Sequence, residues 1–456
     1  MAAEANAYRL PERFFGGAAI PSLCYCRLKF VRVTRRLQAG RLNAKMQASP
    51  ASADGFYFNP IDTSFRDNPY PHYPALLTGS PRKFTMFLTA TLVARYQDCT
   101  AVLRDYEHFS STSLPALQQI RTNLGPFAGA TTMLDSDPPV HTRLRRLVSR
   151  AFTPRRVKAM EPRIREISNQ LLDRVGSASN FDVMNDLANL LPVIVIAEML
   201  DVPPEHHAKF KEWSNGIIEG DRMAPGSAPP SETMRNSARE LRAYLGEQIA
   251  RRRREPGEDL ISALVQAHDD DGALAADELL AFVGLLLLAG NETTANLIGN
   301  GMLALARNPD QLERLRGDSA LMPAAIEEML RYDSPVQSFV RTCLSAANVG
   351  GTEVAPGELV FVIIAAANRD PRTFANPDTF DIARSPNHHL SFGEGIHFCI
   401  GAPLARLVSS IAIGSILERY SGLRLADPDA PMVYDGSYIL RGLKTLPMAV
   451  TPARRS

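Results

Sequence analysis

Apolar residues recur every three or four positions through most of the chain after about Phe56, a spacing that predicts amphipathic helices. One long apolar segment, Ala276 to Arg307, predicts a helix of about 48 Å that ends at Asn308-Pro309. Runs rich in Thr, Val, Leu and Ile predict strands at 87–96, 349–354 and 358–364. Further helices are predicted over 141–152, 163–175, 183–190, 193–201, 204–218, 231–254, 258–268 and 400–420. The predicted class is mainly α, a large helical domain with small peripheral β-sheets.

The composition is that of a folded globular protein with an uneven distribution of charge. The 456 residues are 45% hydrophobic and 22% charged, with a net charge of +1. Neither disorder nor a general attraction to nucleic acid is therefore expected. Residues 1–45 contain nine Lys or Arg and two Glu. This predicts a basic leader over 1–45, disordered or dispensable, before a single domain over 46–456; an Arg-rich targeting arm is the alternative.

Cysteine usage and the length of apolar runs bear on the compartment. The five cysteines are odd in number and irregular in spacing, which excludes a disulfide scaffold and favours a reducing compartment, the cytoplasm. The longest apolar run, Leu279 to Gly290, is about two-thirds of the roughly 18 residues that a membrane span needs. No membrane span is expected.

The stretch from Phe392 to Gly401 carries the most specific chemistry. Gly393 and Gly395 permit a tight loop, and Cys399 follows at the start of a predicted helix. Backbone N–H groups at a helix start stabilise a thiolate, which is a soft ligand for iron. Gly401 leaves room for a flat ring near the backbone. The alternative for Cys399 is a small buried hydrophobic residue.

The pattern F-x-x-G-x-x-x-C-x-G with a trailing A-R, from Phe392 to Arg406, resembles the haem-binding signature of the cytochrome P450 haem-thiolate monooxygenases. The resemblance implies the cytochrome P450 fold, with haem b between the long central helix and the helix after the cysteine loop. It implies that Cys399 ligates the haem iron and that Phe392 and Gly401 contact the haem. A thiolate ligand favours O–O cleavage.

The middle of the long helix reads Ala289-Gly290-Asn291-Glu292-Thr293-Thr294. Thr293 lies four residues after Ala289 and can bond back to its carbonyl, while Ala289 and Gly290 remove bulk from that face. A polar notch filled by water is the alternative. The segment resembles the A-G-x-[DE]-T motif of the same family. The resemblance implies that Ala289 borders the haem, that Thr293 positions protons for dioxygen and that Glu292 relays them.

Glu328 and Arg331 are three residues apart on another predicted helix. Such a pair is usually an exposed ion pair of little energetic weight. Here it resembles the family's E-x-x-R helix, which implies a buried structural network that braces the cysteine loop. The family's third arginine is replaced by Thr379 at the matching position, and Arg384 is a candidate substitute.

Four basic residues match the family positions that bind the haem propionates, namely His141, Arg145, Arg341 and His397. Solvated surface charges are the alternative for each. The run 143–158 also holds seven Lys or Arg and no acid. A nucleic-acid surface is one interpretation, but neither aromatic interleaving nor a known nucleic-acid-binding motif accompanies the run. By the resemblance, this side faces an acidic ferredoxin.

The resemblance, which extends over about 56–450, implies a cytoplasmic, monomeric monooxygenase that inserts one atom of dioxygen into an organic substrate. Electrons would come from NAD(P)H through a reductase and a ferredoxin-type donor. Mainly apolar pocket segments are expected at 107–130, 204–235, near Ala289, at 336–340 and at 437–439, which favours a lipophilic small molecule. A haem carrier or sensor without turnover is the alternative function, and a nucleic-acid-binding protein is a third.

Overall fold

The computed structural model describes residues 58–453 apart from 60–61, 86–88, 113–131, 177, 222–230, 270–271 and 435–438. The predicted basic leader over 1–45 lies outside the described residues. The protein is mainly helical with small β-sheets, and the predicted fold class is confirmed.

Fifteen α-helices occur in the described part of the chain. They are α1 (Thr63–Asp67), α2 (Tyr73–Thr78), α3 (Tyr96–Arg104), α4 (Val140–Ala151), α5 (Pro154–Ala159), α6 (Glu161–Val175), α7 (Leu191–Met199), α8 (His207–Asp221), α9 (Glu232–Arg254), α10 (Leu260–Gln266), α11 (Ala276–Arg307), α12 (Pro309–Gly317), α13 (Met322–Tyr332), α14 (Ile364–Ala367) and α15 (Ala402–Arg419). A π-helical turn at Val183–Ala188 replaces the predicted helix 183–190.

Helix α11 runs through the centre of the protein and has the predicted bounds. The Ala275 N–H donates to the Glu278 carboxylate at its start, and the Asn308 side-chain amide donates to the Ala304 carbonyl at its end. Helices α7, α13 and α15 pack around it. By length and hydropathy, α11 is the one helix among the described residues that could cross a membrane, but 72% of its apolar window is buried inside the protein. Its apolar surface is therefore covered by other helices.

Twelve strands form four sheets in the described structure. They are β1 (Arg82–Thr85), β2 (Thr89–Val93), β3 (Phe109–Ser110), β4 (Asn180–Asp182), β5 (His268–Asp269), β6 (Gly272–Ala273), β7 (Phe339–Cys343), β8 (Ala347–Val349), β9 (Thr352–Val354), β10 (Leu359–Val362), β11 (Tyr420–Leu425) and β12 (Pro447–Pro452). The largest sheet has the order β1-β2-β10-β7-β3, in which only β2 and β10 are parallel. Strands β8 and β9 form a separate hairpin, so the predicted strands 349–354 and 358–364 belong to different sheets.

Candidate functional site

The loop before α15 is built on two glycines that adopt left-handed backbone conformations. Gly393 has φ +73° and Gly395 has φ +71°. A Cβ on Gly395 would lie 2.7 Å from the Leu103 carbonyl oxygen of α3, so only glycine fits there without displacement. The Cys399 N–H donates to the Phe392 carbonyl at 2.9 Å and closes the loop. The loop therefore has the tight geometry that its sequence predicts.

We expect Gly395→Ala to lower the melting temperature and the haem content of the purified protein. The left-handed conformation costs a non-glycine residue about 1–3 kcal/mol, and the clash with Leu103 adds to it. The control is Gly414→Ala within α15, where nothing lies within 4 Å of the new Cβ and helix propensity predicts a gain of up to about 1 kcal/mol. Equal melting temperatures for the two variants would contradict this account.

The sulfur of Cys399 lies where the helix α15 begins. Burial raises the pKa of the Cys399 thiol, and hydrogen bonds from the Gly401 and Ala402 N–H groups and the charges of Arg145 and Arg406 oppose that rise. The N–H groups are those expected at a helix start, but burial has the larger effect. Gly401 has φ −80° and a Cβ there would touch the sulfur at an ordinary 3.7 Å. The backbone itself therefore does not require glycine at 401.

Helix α11 is exposed at the motif predicted to face the haem. Ala289 is exposed and Glu292 and Thr293 are half-buried, whereas every residue from Thr294 to Leu305 is buried. The Thr293 hydroxyl donates to the Ala289 carbonyl at 2.6 Å, as the spacing predicts. This face of α11 therefore borders accessible space and presents a hydroxyl beside a small residue.

Gly290 does not widen that space, so this part of the sequence prediction is wrong. A Cβ on Gly290 would lie 2.8 Å from Cδ1 of Ile196 in α7. Adjacent residues are about 100° apart around a helix, so Gly290 points away from the face of Ala289. The glycine instead permits close packing of α11 on α7.

Two of the predicted propionate residues lie against each other near the cysteine loop. The His141 and His397 ring centroids are 4.3 Å apart. His141 is only 3% exposed, and neither of its ring nitrogens has a hydrogen-bond partner. Nε2 of His397 lies 2.9 Å from the Ser111 hydroxyl. Burial, followed by the charges of Arg341 and His141, lowers the pKa of His397 to about 3.

The two predicted arginines are in the same region. Arg341 on β7 is buried, its guanidinium donates to the Val340 carbonyl at 3.0 Å, and burial lowers its pKa to about 10. Arg145 on α4 donates to the Phe398 carbonyl at 2.6 Å, immediately before Cys399. The charge of Arg145 also lowers the pKa values of both histidines, after the larger effect of burial. The structure thus brings all four predicted residues together.

These four side chains fit a dianionic group such as haem. Asp137 is the carboxylate whose charge acts on His141, Arg341 and His397. Its single negative charge is outnumbered by the positive charges of Arg145 and Arg341. A buried polar group without a hydrogen-bond partner lowers the stability of the fold. Both ring nitrogens of His141 are such groups. Two carboxylates placed there would supply acceptors and balance the charge. Sequence reasoning missed Asp137 and Ser111 because Asp137 accepts hydrogen bonds from residues 26 and 27 positions earlier, and Ser111 contacts His397, 286 positions later.

Glu328 and Arg331 form the buried network that the sequence predicts. Both side chains are 0% exposed, and Arg331 Nε and Nη2 each donate to a Glu328 oxygen at 2.8 Å. Arg384 supplies the third member, since its Nε lies 3.1 Å from both Glu328 oxygens. The remaining donors of the two arginines are bound by carbonyls of the irregular segment, those of Asn368, Ala375, Asn376, Pro377 and Thr379.

The basic run 143–158 is only partly available at the surface. Arg143 pairs with Glu278 at the start of α11, and Arg156 donates to the Glu258 carbonyl. Four basic residues of α4 and α5 are exposed, namely Arg146, Arg150, Arg155 and Lys158. The exposed charge is therefore smaller than the sequence count suggests, and α4 adjoins the cysteine loop through Arg145.

The segments predicted to line a substrate pocket are partly described. The Gln337 N–H donates to the Ile439 carbonyl at 2.6 Å, and Val336 pairs with Leu440, so 336–340 and 439 lie together. Residues 113–130, 222–230 and 437–438 of the predicted pocket lie outside the described residues.

A family model described as Cytochrome P450 matches residues 228–445. Among curated proteins, the chain is 43% identical over 370 residues to Cytochrome P450 107B1 of Saccharopolyspora erythraea, covering 79% of this chain and 89% of that protein. It is 39% identical over 397 residues to 6-deoxyerythronolide B hydroxylase of the same organism, with coverage of 84% and 96%. Among solved structures, CYP109E1 from Bacillus megaterium in complex with testosterone has a TM-score of 0.75, 34% identity and coverage of 84% and 99%.

Proposed function

The chain belongs to the cytochrome P450 family, and from this premise we propose that it hydroxylates or epoxidises a lipophilic organic molecule. As a family member it is a haem b monooxygenase, an oxidoreductase that incorporates oxygen from dioxygen. Bound haem supplies an iron centre that activates dioxygen. The observation that carries the proposal is Cys399, held at the start of α15 by a loop that only glycine permits.

We assign Cys399 as the iron ligand and the four basic residues His141, Arg145, Arg341 and His397 as partners of the haem propionates. His141 and Arg341 support this assignment because both are buried donors whose hydrogen-bonding capacity the described protein does not use fully. Phe392, Gly401 and Ala289 are the residues we expect beside the ring. Glu328 and Arg331 act structurally, by holding the irregular segment that leads into the cysteine loop.

Thr293 and Glu292 are the residues we propose for proton transfer. The Thr293 hydroxyl donates to the Ala289 carbonyl, so its oxygen can accept a hydrogen bond and position a proton beside Ala289. Glu292 is the neighbouring half-buried acid and can exchange protons with solvent. Neither group needs to bind metal for this role.

We further propose that the substrate is lipophilic and that the electron donor is an acidic protein. Relatives named for 6-deoxyerythronolide B and crystallised with testosterone support a largely apolar substrate. Exposed Arg146 and Arg150 lie on α4, which contacts the cysteine loop through Arg145, and exposed Arg155 and Lys158 lie on α5, the next helix. This basic surface suits the docking of a ferredoxin-type protein fed by NAD(P)H and a reductase. We expect the protein to act as a monomer in the cytoplasm.

Isotopically labelled dioxygen tests this reaction. The full chain is reconstituted with haem, a ferredoxin, its reductase and NADH, and lipophilic candidates are first screened for a shift of the haem absorption. We expect one labelled oxygen atom in the product of a binding compound, because the enzyme transfers one atom and reduces the other to water. Label from water instead of dioxygen would refute monooxygenation.

Thr293→Ala is expected to uncouple NADH consumption from product formation. Electron delivery does not involve the hydroxyl, so NADH use continues while the fraction that yields product falls by about tenfold or more, within the range for loss of an acid–base group. The control is Thr294→Ala, because Thr294 is buried on another face of α11. Coupling that stays at the wild-type value in Thr293→Ala would remove Thr293 from the proposed proton path.

A further inference from the structure

Two adjacent glutamates of α13 enter different networks. Glu328 is fully buried with Arg331 and Arg384, whereas Glu327 is partly exposed and faces the other side of the helix. The Glu327 carboxylate accepts from Nε and Nη2 of Arg406 at 2.7 and 2.8 Å, in a bidentate arrangement. Bidentate pairs fix orientation as well as distance. Glu327 therefore holds the Arg406 guanidinium in one defined position.

Arg406 connects this carboxylate to both ends of the cysteine loop. It belongs to α15, the helix that follows the loop, and its guanidinium carbon lies 4.5 Å from the centroid of the Phe392 ring. Phe392 begins the loop, and its carbonyl accepts the Cys399 N–H at 2.9 Å. A displacement of Arg406 would consequently remove a cation–π contact from the residue that closes the loop.

His389 is a third residue in contact with Glu327, and the hydrogen-bond partners of its two ring nitrogens assign its tautomer. The Ser391 N–H donates to His389 Nδ1 at 3.2 Å, so the proton of the neutral ring lies on Nε2. Nε2 lies 3.1 Å from the Glu327 carboxylate and donates to it. Burial raises the pKa of Glu327, but Arg406 and His389 outweigh it and lower the value to about 2. Glu327 is thus ionised at neutral pH and balances the charge of Arg406.

We propose that Glu327 is a positioning residue for the iron ligand: it orients Arg406 against Phe392 and neutralises the guanidinium charge on the helix that follows Cys399. This inference rests on the proposed role of Cys399 as the ligand of the haem iron. It separates Glu327 from Glu328, since Glu328 braces the irregular segment and has no contact with α15 among its hydrogen bonds in the described residues.

The midpoint reduction potential of the iron tests the inference. It is measured for three variants of the full-length haem protein, two single variants that each remove one charge of the pair and the double variant that removes both. Glu327→Gln leaves Arg406 uncompensated and should shift the potential to more positive values, because added positive charge favours the reduced iron. Arg406→Gln leaves Glu327 uncompensated and should shift the potential to more negative values. The double variant should return close to the wild-type potential.

The second readout is the loss of the thiolate-type carbon monoxide difference band during mild heating. Each single variant and the double variant should lose the band several-fold faster than wild type, at similar rates, because all three break the same link. Glu313→Gln on α12 is the control, since Glu313 also pairs with an arginine but is 66% exposed. Circular dichroism establishes that each variant folds. If Glu327→Gln does not fold, Glu327→Asp replaces it; this variant keeps the negative charge and should keep the wild-type reduction potential.

Opposite shifts in the two single variants, with recovery in the double variant, would support the inference. Unchanged potentials, or shifts of the same sign in both single variants, would overturn it. A wild-type protein without the thiolate-type band would overturn the assignment of Cys399 together with this inference, whereas a normal wild-type band with unmoved potentials would overturn the inference alone.

Discussion

Replacing Cys399 with serine should abolish the strongly red-shifted Soret band of the reduced carbon monoxide complex and nearly abolish oxygen insertion. A serine oxygen is a harder and less electron-donating ligand than a thiolate, so O–O cleavage loses the assistance that sulfur gives. We expect product formation to fall at least about a hundredfold, which corresponds to about 2.7 kcal/mol in the activation barrier. The difference spectrum and turnover with a bound substrate measure the two effects.

Cys343→Ser is the matched control for this substitution. Cys343 is buried, and its sulfur lies 2.9 Å from the Ser345 carbonyl, an acceptor that a serine hydroxyl can use. The control protein should keep the red-shifted band. A band that persists in Cys399→Ser, or that disappears in Cys343→Ser, would show that another residue ligates the iron.

Glu328→Ala should be the most destabilising single substitution in the described network. It removes the carboxylate that Arg331 and Arg384 share in a fully buried site, and leaves two guanidinium groups there without their anion. Breaking a buried ion pair in this way costs about 3–5 kcal/mol. Urea denaturation measures the free energy of unfolding, and the haem content after purification reports the effect on the cysteine loop.

The exposed pair of Glu313 and Arg316 on α12 provides the comparison. It has the same spacing and order along its helix, but the Glu313 side chain is 66% exposed. Glu313→Ala should change the free energy of unfolding by about 0–1 kcal/mol. Similar losses for Glu328→Ala and Glu313→Ala would show that burial of the network has no energetic consequence.

Local sequence signals predicted those parts of the fold whose boundaries depend on neighbouring residues. Helix α11 matched its predicted bounds because acids in its first turn and Asn308-Pro309 at its end are readable from the chain. The sheet β11-β12-β4 was not predicted, because it pairs 180–182 with 447–449, more than 260 residues away. Strand β12 also begins and ends with proline, which carries no strand signal.

The candidate site divides in the same way. The cysteine loop could be predicted because its glycines occupy positions with positive φ, a local requirement. The neighbour of Gly290 could not be predicted, since Ile196 reaches it from another helix. Arg384 was found only as a nearby candidate, because the irregular segment has no periodicity that places a side chain. No sequence motif indicated a role for Glu327, because the E-x-x-R pattern points to its neighbour Glu328.

The hydrogen bond from Thr293 to Ala289 determines the polarity that α11 offers to an incoming molecule. The hydroxyl hydrogen is already engaged by the carbonyl, so the oxygen presents its lone pairs outward. A compound with a hydroxyl or amide hydrogen near this position would donate a hydrogen bond to the Thr293 oxygen. A carbonyl or ether oxygen there would find no donor at Thr293 and would face another acceptor. Orientation of a mainly apolar guest can therefore depend on a single donor group at one of its edges.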